Sequence, residues 1–349
     1  MSDKVNPVIL IQLLYQYYNY RNDGERIFRF IRNERMLIHR ETEQEVSHRK
    51  SRLSPHVQRI AAEAVRKQLR DSLKGRITEK IYIDPAMRRI AVPIQTATGQ
   101  NGFDILPTGS RITIPKGKKI RAFTYWEKVN DIDLSCFGVS ENGQQKEKEF
   151  SWRTMFGEQS DAVLFSGDET SGYNGGSEYY DIDMDEFQNR HPDLRYLVFC
   201  NNIFSDSGRT HFKDCFCKAG FMMRDISDSG EVYEPKTVKT AFRMTTDSSF
   251  GYLFAIDLKM REMVWLNINR EGNHAIAGQS DMAWLMDFLK VTDVFNVYDL
   301  YAMCAGADNI AETPHSAKIV VTADDGYTGT EDQMVVYRWS TEKMLQLLQ

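Results

Sequence analysis

Two acidic clusters hold the residues best suited to chemistry. Asn130-Asp131-Ile132-Asp133 places three oxygen-bearing side chains within four positions. The stretch Gly167-Asp168-Glu169-Thr170-Ser171-Gly172-Tyr173-Asn174-Gly175-Gly176-Ser177-Glu178 spreads three carboxylates along a glycine-rich loop, and Asp181 and Asp183 follow. Calcium takes about six to eight oxygens from carboxylates, amides and backbone carbonyls. Glycine lets the backbone curl round such an ion. Two acidic loops at one edge of a sandwich could share one or two cations. The alternative is a pair of acidic surface turns whose glycines serve turn geometry alone. Asp181, Asp183 and Asp185 alternate, as on one strand face, although Asp185-Glu186 would equally open a short helix. A carboxylate pair for general acid–base work stays open on these residues, but nothing else supports a hydrolase.

Other constellations are weaker. Cys215-Phe216-Cys217 has one intervening residue, which suits neither a zinc ribbon nor a redox motif. On a strand both sulfurs would face one side, which reads as a pair of buried small residues. His211 stands near Asp214 with no activated nucleophile, so it reads as structural or superficial. His39, His48 and His56 are irregularly spaced. Arg59, Arg66, Lys67, Arg70 and Lys74 form a basic strip, either a solvated face or a docking arm. The head's Tyr15, Tyr17, Tyr18, Tyr20, Phe28 and Phe30 fall where helix packing would use them rather than as base-stacking platforms.

Three segments must position these groups. The head, residues 1–80, reads helical. Pro7 opens a helix carrying Ile9, Leu10, Leu13, Leu14 and Tyr17, and Asn22-Asp23-Gly24 stops it. A second helix is expected through Ile27, Phe28, Ile31 and Met36. Ser54-Pro55 opens a third, with Ile60, Ala61, Ala64, Leu69 and Leu73 as its apolar stripe and Gly75 as its end. Residues 81–268 read as many short strands. Ile90, Val92 and Ile94 alternate, as do Ile112 and Ile114. Lys119–Trp126 reads as a further strand with bulky residues on both faces, and Ala162–Phe165, Tyr196–Cys200, Phe216–Met223 and Tyr252–Ile256 are apolar runs. Turns are expected at Glu141–Gly143, Ser205–Gly208 and Asp228–Gly230. This pattern predicts an antiparallel β-sandwich. Residues 269–349 read as a small α/β tail: helices over Met282–Leu289 and Val294–Cys304, strands over Lys318–Thr322 and Met334–Tyr337, and a last helix capped by Ser340 or Thr341. The tail has no glycine-rich phosphate loop between strand and helix. The fold class is therefore α+β.

The two acidic stretches, in this order, resemble the TerD family of tellurite-resistance and stress-response proteins. Asp131-Ile132-Asp133-Leu134-Ser135-Cys136-Phe137 is similar to that family's D-L-D-A-S-A-F strand. Gly167–Glu178 resembles its G-D-N-x-T-G-E-G-D-G-D-D-E calcium loop, with Ile182-Asp183-Met184 standing where the family has V-D-L. Tyr196–Phe199 and Phe212–Arg224 resemble its later strands. The resemblance covers about residues 115–268. It implies a calcium-binding β-sandwich without known catalysis, tied to bacterial stress and phage-defence systems. Asp131, Asp133, Asp168 and Glu178 match the family's carboxylates, and Asn130, Glu169, Asn174 and Asp181 are secondary candidates. Two departures stand out. Val129 replaces a leading aspartate, and Asn174-Gly175-Gly176-Ser177-Glu178 has lost three carboxylates. One cation site is expected rather than two, and calcium is the expected ion.

Composition frames these readings. The chain has 349 residues, with 42% hydrophobic and 27% charged, which excludes fibrous and wholly disordered classes. No apolar run approaches the ~20 residues that span a bilayer, and no signal-peptide pattern opens the sequence. Five cysteines suit a reduced, cytoplasmic protein. Residues 1–80 carry 17 Lys and Arg against 10 Asp and Glu, a net +7, while the remainder carries 27 against 39, a net −12. A basic head can attract nucleic acid or an acidic partner. The expected function is a non-enzymatic calcium-binding adaptor or scaffold with protein partners. The alternatives are a subunit of a phage-like multi-subunit assembly, through self-association, and a nucleic-acid-associated factor using the head.

Overall fold

The computed structural model describes residues 5–19, 27–32, 35–40, 43–48, 54–93, 106–140, 148–151, 154, 162–204, 210–225, 237–270, 285, 295–338 and 340–348. The described strands, in chain order, are β1 (Ile27–Arg32), β2 (Arg35–Arg40), β3 (Ile81–Ile83), β4 (Arg111–Thr113), β5 (Lys118–Glu127), β6 (Ile132–Ser140), β7 (Lys148–Phe150), β8 (Val163–Phe165), β9 (Gly176–Asp183), β10 (Leu194–Ile203), β11 (Phe216–Asp225), β12 (Val238–Met244), β13 (Phe250–Asp257), β14 (Glu262–Arg270), β15 (Ile319–Thr322) and β16 (Met334–Tyr337). The chain is mixed α+β and divides into two compact units. One comprises Met1–Arg29, Ile38–Thr96 and Asp287–Gln349; the other comprises Phe30–Leu37 and Ala97–Met286.

The second unit holds two antiparallel sheets packed face to face. One has the order β4-β14-β13-β10-β6-β7 and the other β12-β11-β5-β9-β8. Aromatic side chains close the space between them. Phe221 meets Phe254 at 5.5 Å, Phe242 meets Trp265 at 4.9 Å and Tyr180 meets Phe199 at 6.1 Å between ring centroids. Such edge-on pairs add modestly to the larger gain from burying the rings. The Tyr180 hydroxyl crosses the gap and donates to the carbonyls of Phe150 (2.7 Å) and Leu134 (3.1 Å). The central strand β13 is buried along its whole length. β9 alternates strictly, with Gly176, Glu178, Tyr180 and Ile182 buried and Ser177, Tyr179, Asp181 and Asp183 partly exposed. Two-residue strand periodicity therefore turns Glu178 and Asp181 to opposite faces.

In the first unit a three-stranded sheet, β16-β15-β3, is parallel throughout. Helix α1 spans Pro7–Asn19, α2 Glu43–His48 and α3 Pro55–Leu73. Ser54 caps α3 by accepting from the Val57 N–H, with Pro55 behind it. Past the C-cap Lys74, Gly75 takes φ +82°, a left-handed turn that glycine adopts without strain. The backbone N–H groups of Gly75 and Ile77 then both donate to the Cys304 carbonyl. A helix over Val297–Ala305 opens on Asn296, whose side chain accepts from the Asp299 N–H. Among the described residues no helix is long and apolar enough to cross a membrane.

The structure corrects several expectations. Where a second helix was expected, Ile27–Arg32 forms β1 and Arg35–Met36 opens β2; six-residue apolar runs fit either period. Along α3, Leu69 and Leu73 are fully buried, but Ile60 is 51% exposed and Ala64 is exposed, so the buried stripe passes through Gln58. Ile90 and Val92 are buried beside a 3₁₀ turn, Pro85–Arg89, rather than in a strand. β3, placed by sequence with the sandwich, pairs with tail strand β15, and head and tail segments share one unit. The expectations at Asn22–Gly24, Ile94, Glu141–Gly143, Ser205–Gly208 and Asp228–Gly230 lie outside the described residues, as does all of Met282–Leu289 except Leu285.

Candidate metal centre

Three carboxylates converge between the two facing sheets, near the first residues of β6 and β9. Asp131 immediately precedes β6, Asp168 lies in the loop between β8 and β9, and Glu178 projects from β9. One oxygen from each lies within 4.8 Å of the others, and Asp131 and Glu178 are buried while Asp168 is exposed. The Asp131 Oδ1 atom is buried and has no hydrogen-bond partner. Both Glu178 oxygens are occupied: Oε2 accepts from the Leu134 N–H at 2.8 Å and Oε1 from the Glu169 N–H at 3.2 Å. Glu178 thus ties the glycine-rich loop to β6 of the facing sheet.

The electrostatics oppose the ionised form of these carboxylates. Burial pushes the Glu178 carboxyl up to about 9, against the pull of its two backbone donors. Burial likewise lifts Asp131 to about 7, reinforced by Asp133, Asp168 and Glu169. Asp168 is raised by burial and by Glu169. Two N–H groups aimed at one carboxylate suit its ionised form, yet desolvation and neighbouring acids penalise that form. A divalent cation among the three oxygens would relieve that penalty. An all-oxygen donor set of carboxylates fits a hard cation such as calcium and not a soft one.

The remaining predicted ligands divide. Asp133 is buried and accepts from the Asn202 amide at 3.4 Å, and burial raises it to about 6 while that bond lowers it. It stands beside the three-carboxylate group rather than within it. Glu169 turns its carboxylate to the Ser171 N–H at 2.7 Å. Asn130 is exposed, and its backbone carbonyl accepts from the Gly172 N–H. Asn174 is exposed in the 3₁₀ turn Gly172–Asn174. Asp181 is directed elsewhere: both its oxygens bind the Arg121 guanidinium at 2.6 Å on the opposite face of β9. Asp183 caps the helix Met184–Arg190 (α4) by accepting from the Asp185 and Glu186 N–H groups, which settles the role of that acidic run.

The loop glycines serve two purposes. Gly167 and Gly175 have φ of +102° and +134°, where side chains are strained. A Cβ on Gly172 or Gly176 would come within 2.5 Å of the Trp126 indole, which is fully buried. Trp126, Asn202 and Arg121 were missed by sequence reasoning. Only Trp126, as a bulky residue ending a strand, carried any local signal. Cys215 and Cys217 are buried, as expected of small core residues. The His211 ring pairs with Asp247 at 2.7 Å, and its backbone N–H with Asp214.

Comparison with known proteins adds little. No protein family matches the chain, and no curated protein matches it. Among solved structures, the crystal structure of the unknown-function protein SAV2460 aligns at 13% identity and a TM-score of 0.34, covering 46% of this chain and 94% of that one.

Proposed function

We propose that the two-sheet unit binds one divalent cation, calcium, through Asp131, Asp168 and Glu178, and that the protein is a non-enzymatic adaptor or scaffold. The observation that carries this reading is the convergence of the carboxylates of Asp131, Asp168 and Glu178, together with a buried Asp131 Oδ1 that has no hydrogen-bond partner among the described residues. The ion would offset most of the cluster's charge and fasten the Gly167–Gly175 loop to the start of β6, fixing the shape of that end of the sheets for a protein partner. The resemblance to the TerD family supports the same chemistry. Backbone carbonyls and water would complete the coordination sphere, since three carboxylates supply too few oxygens alone. The test is thermal unfolding with excess EGTA and across a calcium titration, compared with Asp131→Ala/Asp168→Ala. A saturable rise in the wild type that the double variant loses is expected. A rise that survives in the variant would place the ion elsewhere, and no rise at millimolar calcium would remove the cation and leave the sheets as a scaffold.

A further inference from the structure

Helix α3 buries one face and leaves the opposite one bare. Gln58, Leu69 and Leu73 are buried. On the other side Val57, Ile60, Ala64, Lys67, Asp71 and Lys74 follow at alternating steps of three and four residues, which sets them in one line along the helix. The first half of that line is apolar: Val57 is 43% exposed and Ile60 51%, and Ala64 is exposed as well. The second half is cationic, with Arg70 one turn from both Lys67 and Lys74. Among the described residues Lys67, Arg70 and Lys74 are exposed and make no ion pair. The helix and its cap Lys74 carry five cations against two acids, Glu63 and Asp71. Helix α1 packs against α3 and contains no charged residue; on it Ile9 is 49% exposed, and Val5, one turn before, 42%.

Charge and shape together define the occupant. Unpaired cations call for an anionic partner. A nucleic acid would satisfy them but would gain nothing from Val57 and Ile60. A protein partner would need a broad face of about 800 Å², whereas the apolar line on α3 is one residue wide. A second copy would set the same cations against each other. An anionic bilayer meets both halves at once: apolar side chains sink among the headgroups, and lysine stems lie along the surface with their charges at the lipid phosphates. We propose that the exposed face of α3 docks on the surface of an anionic phospholipid bilayer, with Val57, Ile60 and Ala64 inserted and Lys67, Arg70 and Lys74 at the headgroups. The three carboxylates of the cation site belong to the other compact unit, so the two readings stand apart.

The test is sedimentation of the full chain with vesicles in EGTA, one set of phosphatidylcholine alone and one with about a third phosphatidylserine. Binding to the anionic set alone is expected, and it should fall steeply as salt rises from about 0.1 to 0.5 M. Lys67→Glu/Arg70→Glu/Lys74→Glu should weaken it by about tenfold or more, and Val57→Gln/Ile60→Gln should do the same. Lys116→Glu/Lys318→Glu, at exposed cations elsewhere, should leave it unchanged, with unfolding midpoints confirming that each variant is folded. No binding to the anionic vesicles, equal binding to both sets, or full binding by either α3 variant would each overturn the proposal. A short DNA duplex bound by the wild type without any vesicle binding would assign the cations to nucleic acid and overturn it as well. Because EGTA is present throughout, the result is independent of the calcium reading.

Discussion

The buried Glu178 makes the stability of the cation-free protein fall as pH rises, and calcium should reverse that fall. Its folded-state pKa, about 9, lies above the usual glutamate value. A group raised in this way contributes fully below the unfolded value, and its contribution is lost as pH rises through the folded value. Each pH unit within that window is worth about 1.4 kcal/mol per group. Between pH 5.5 and 7.5 the penalty from Glu178 is therefore on the order of 3 kcal/mol. Calcium at about a hundred times its dissociation constant returns about 2.7 kcal/mol, which for a unit of ~150–250 residues corresponds to about 5–11 °C. Scanning calorimetry at pH 5.5 and 8.0, in EGTA and in 1 mM calcium, reads all four states. The apo transition of the unit containing β4–β14 should be lower at pH 8.0. The calcium shift should be larger at pH 8.0, because the ion competes with protons for the same oxygens. An apo protein as stable at pH 8.0 as at 5.5, or a calcium shift that shrinks with pH, would refute this account of the site.

Further outcomes follow from neighbouring residues. Asp131→Asn should stabilise the EGTA form at pH 8 and weaken calcium binding at least tenfold by isothermal titration. Asp181→Ala leaves the buried Arg121 without its carboxylate, so unfolding should cost about 3–5 kcal/mol less; calcium affinity should be unchanged, which separates Asp181 from the site. Gly176→Ala drives a Cβ into Trp126 and should lower stability by about 1–3 kcal/mol, read as an earlier denaturant midpoint with the same calcium stoichiometry.

Much of the two-sheet unit was legible because its strands are long and punctuated. β5, β10, β11 and β13 all enclose or extend apolar runs visible in the sequence. The helix capped by Ser54 was legible because capping chemistry is local. β1 and β2 were not, since runs of six residues satisfy helical and strand periods alike. β3 was not assigned to its sheet because its parallel partner, β15, lies far along the chain, and parallel pairing leaves no hairpin signal. Within the site, residue types were readable but membership was not. Asp131 and Glu178 meet only because β9 lies beside β5 and faces β6 across the inter-sheet space. Asp181 has the same chemistry as Glu178 and a similar sequence neighbourhood, yet one odd step along β9 takes it to Arg121.

That odd step also explains how one strand can carry two unrelated chemistries. On the inner face of β9, Glu178 and Tyr180 bind backbone groups of the opposite sheet. On the outer face, Tyr179 stacks beneath the Arg121 guanidinium at 4.1 Å. The glycines flanking β9 allow both. Gly176 lets Trp126 close the core against the strand's first residue, and Gly175 turns the loop back with φ +134°. A loop shaped this tightly around Trp126 has little freedom left to move its carboxylates. Few carboxylates would then suffice for the proposed site, because they are held by the fold. Glu178 is fixed by two backbone donors and Asp131 by its place at the start of β6. Rigid placement of few ligands lowers the ordering cost of binding, which suits the proposed three-carboxylate site at the ends of two interior strands, β6 and β9.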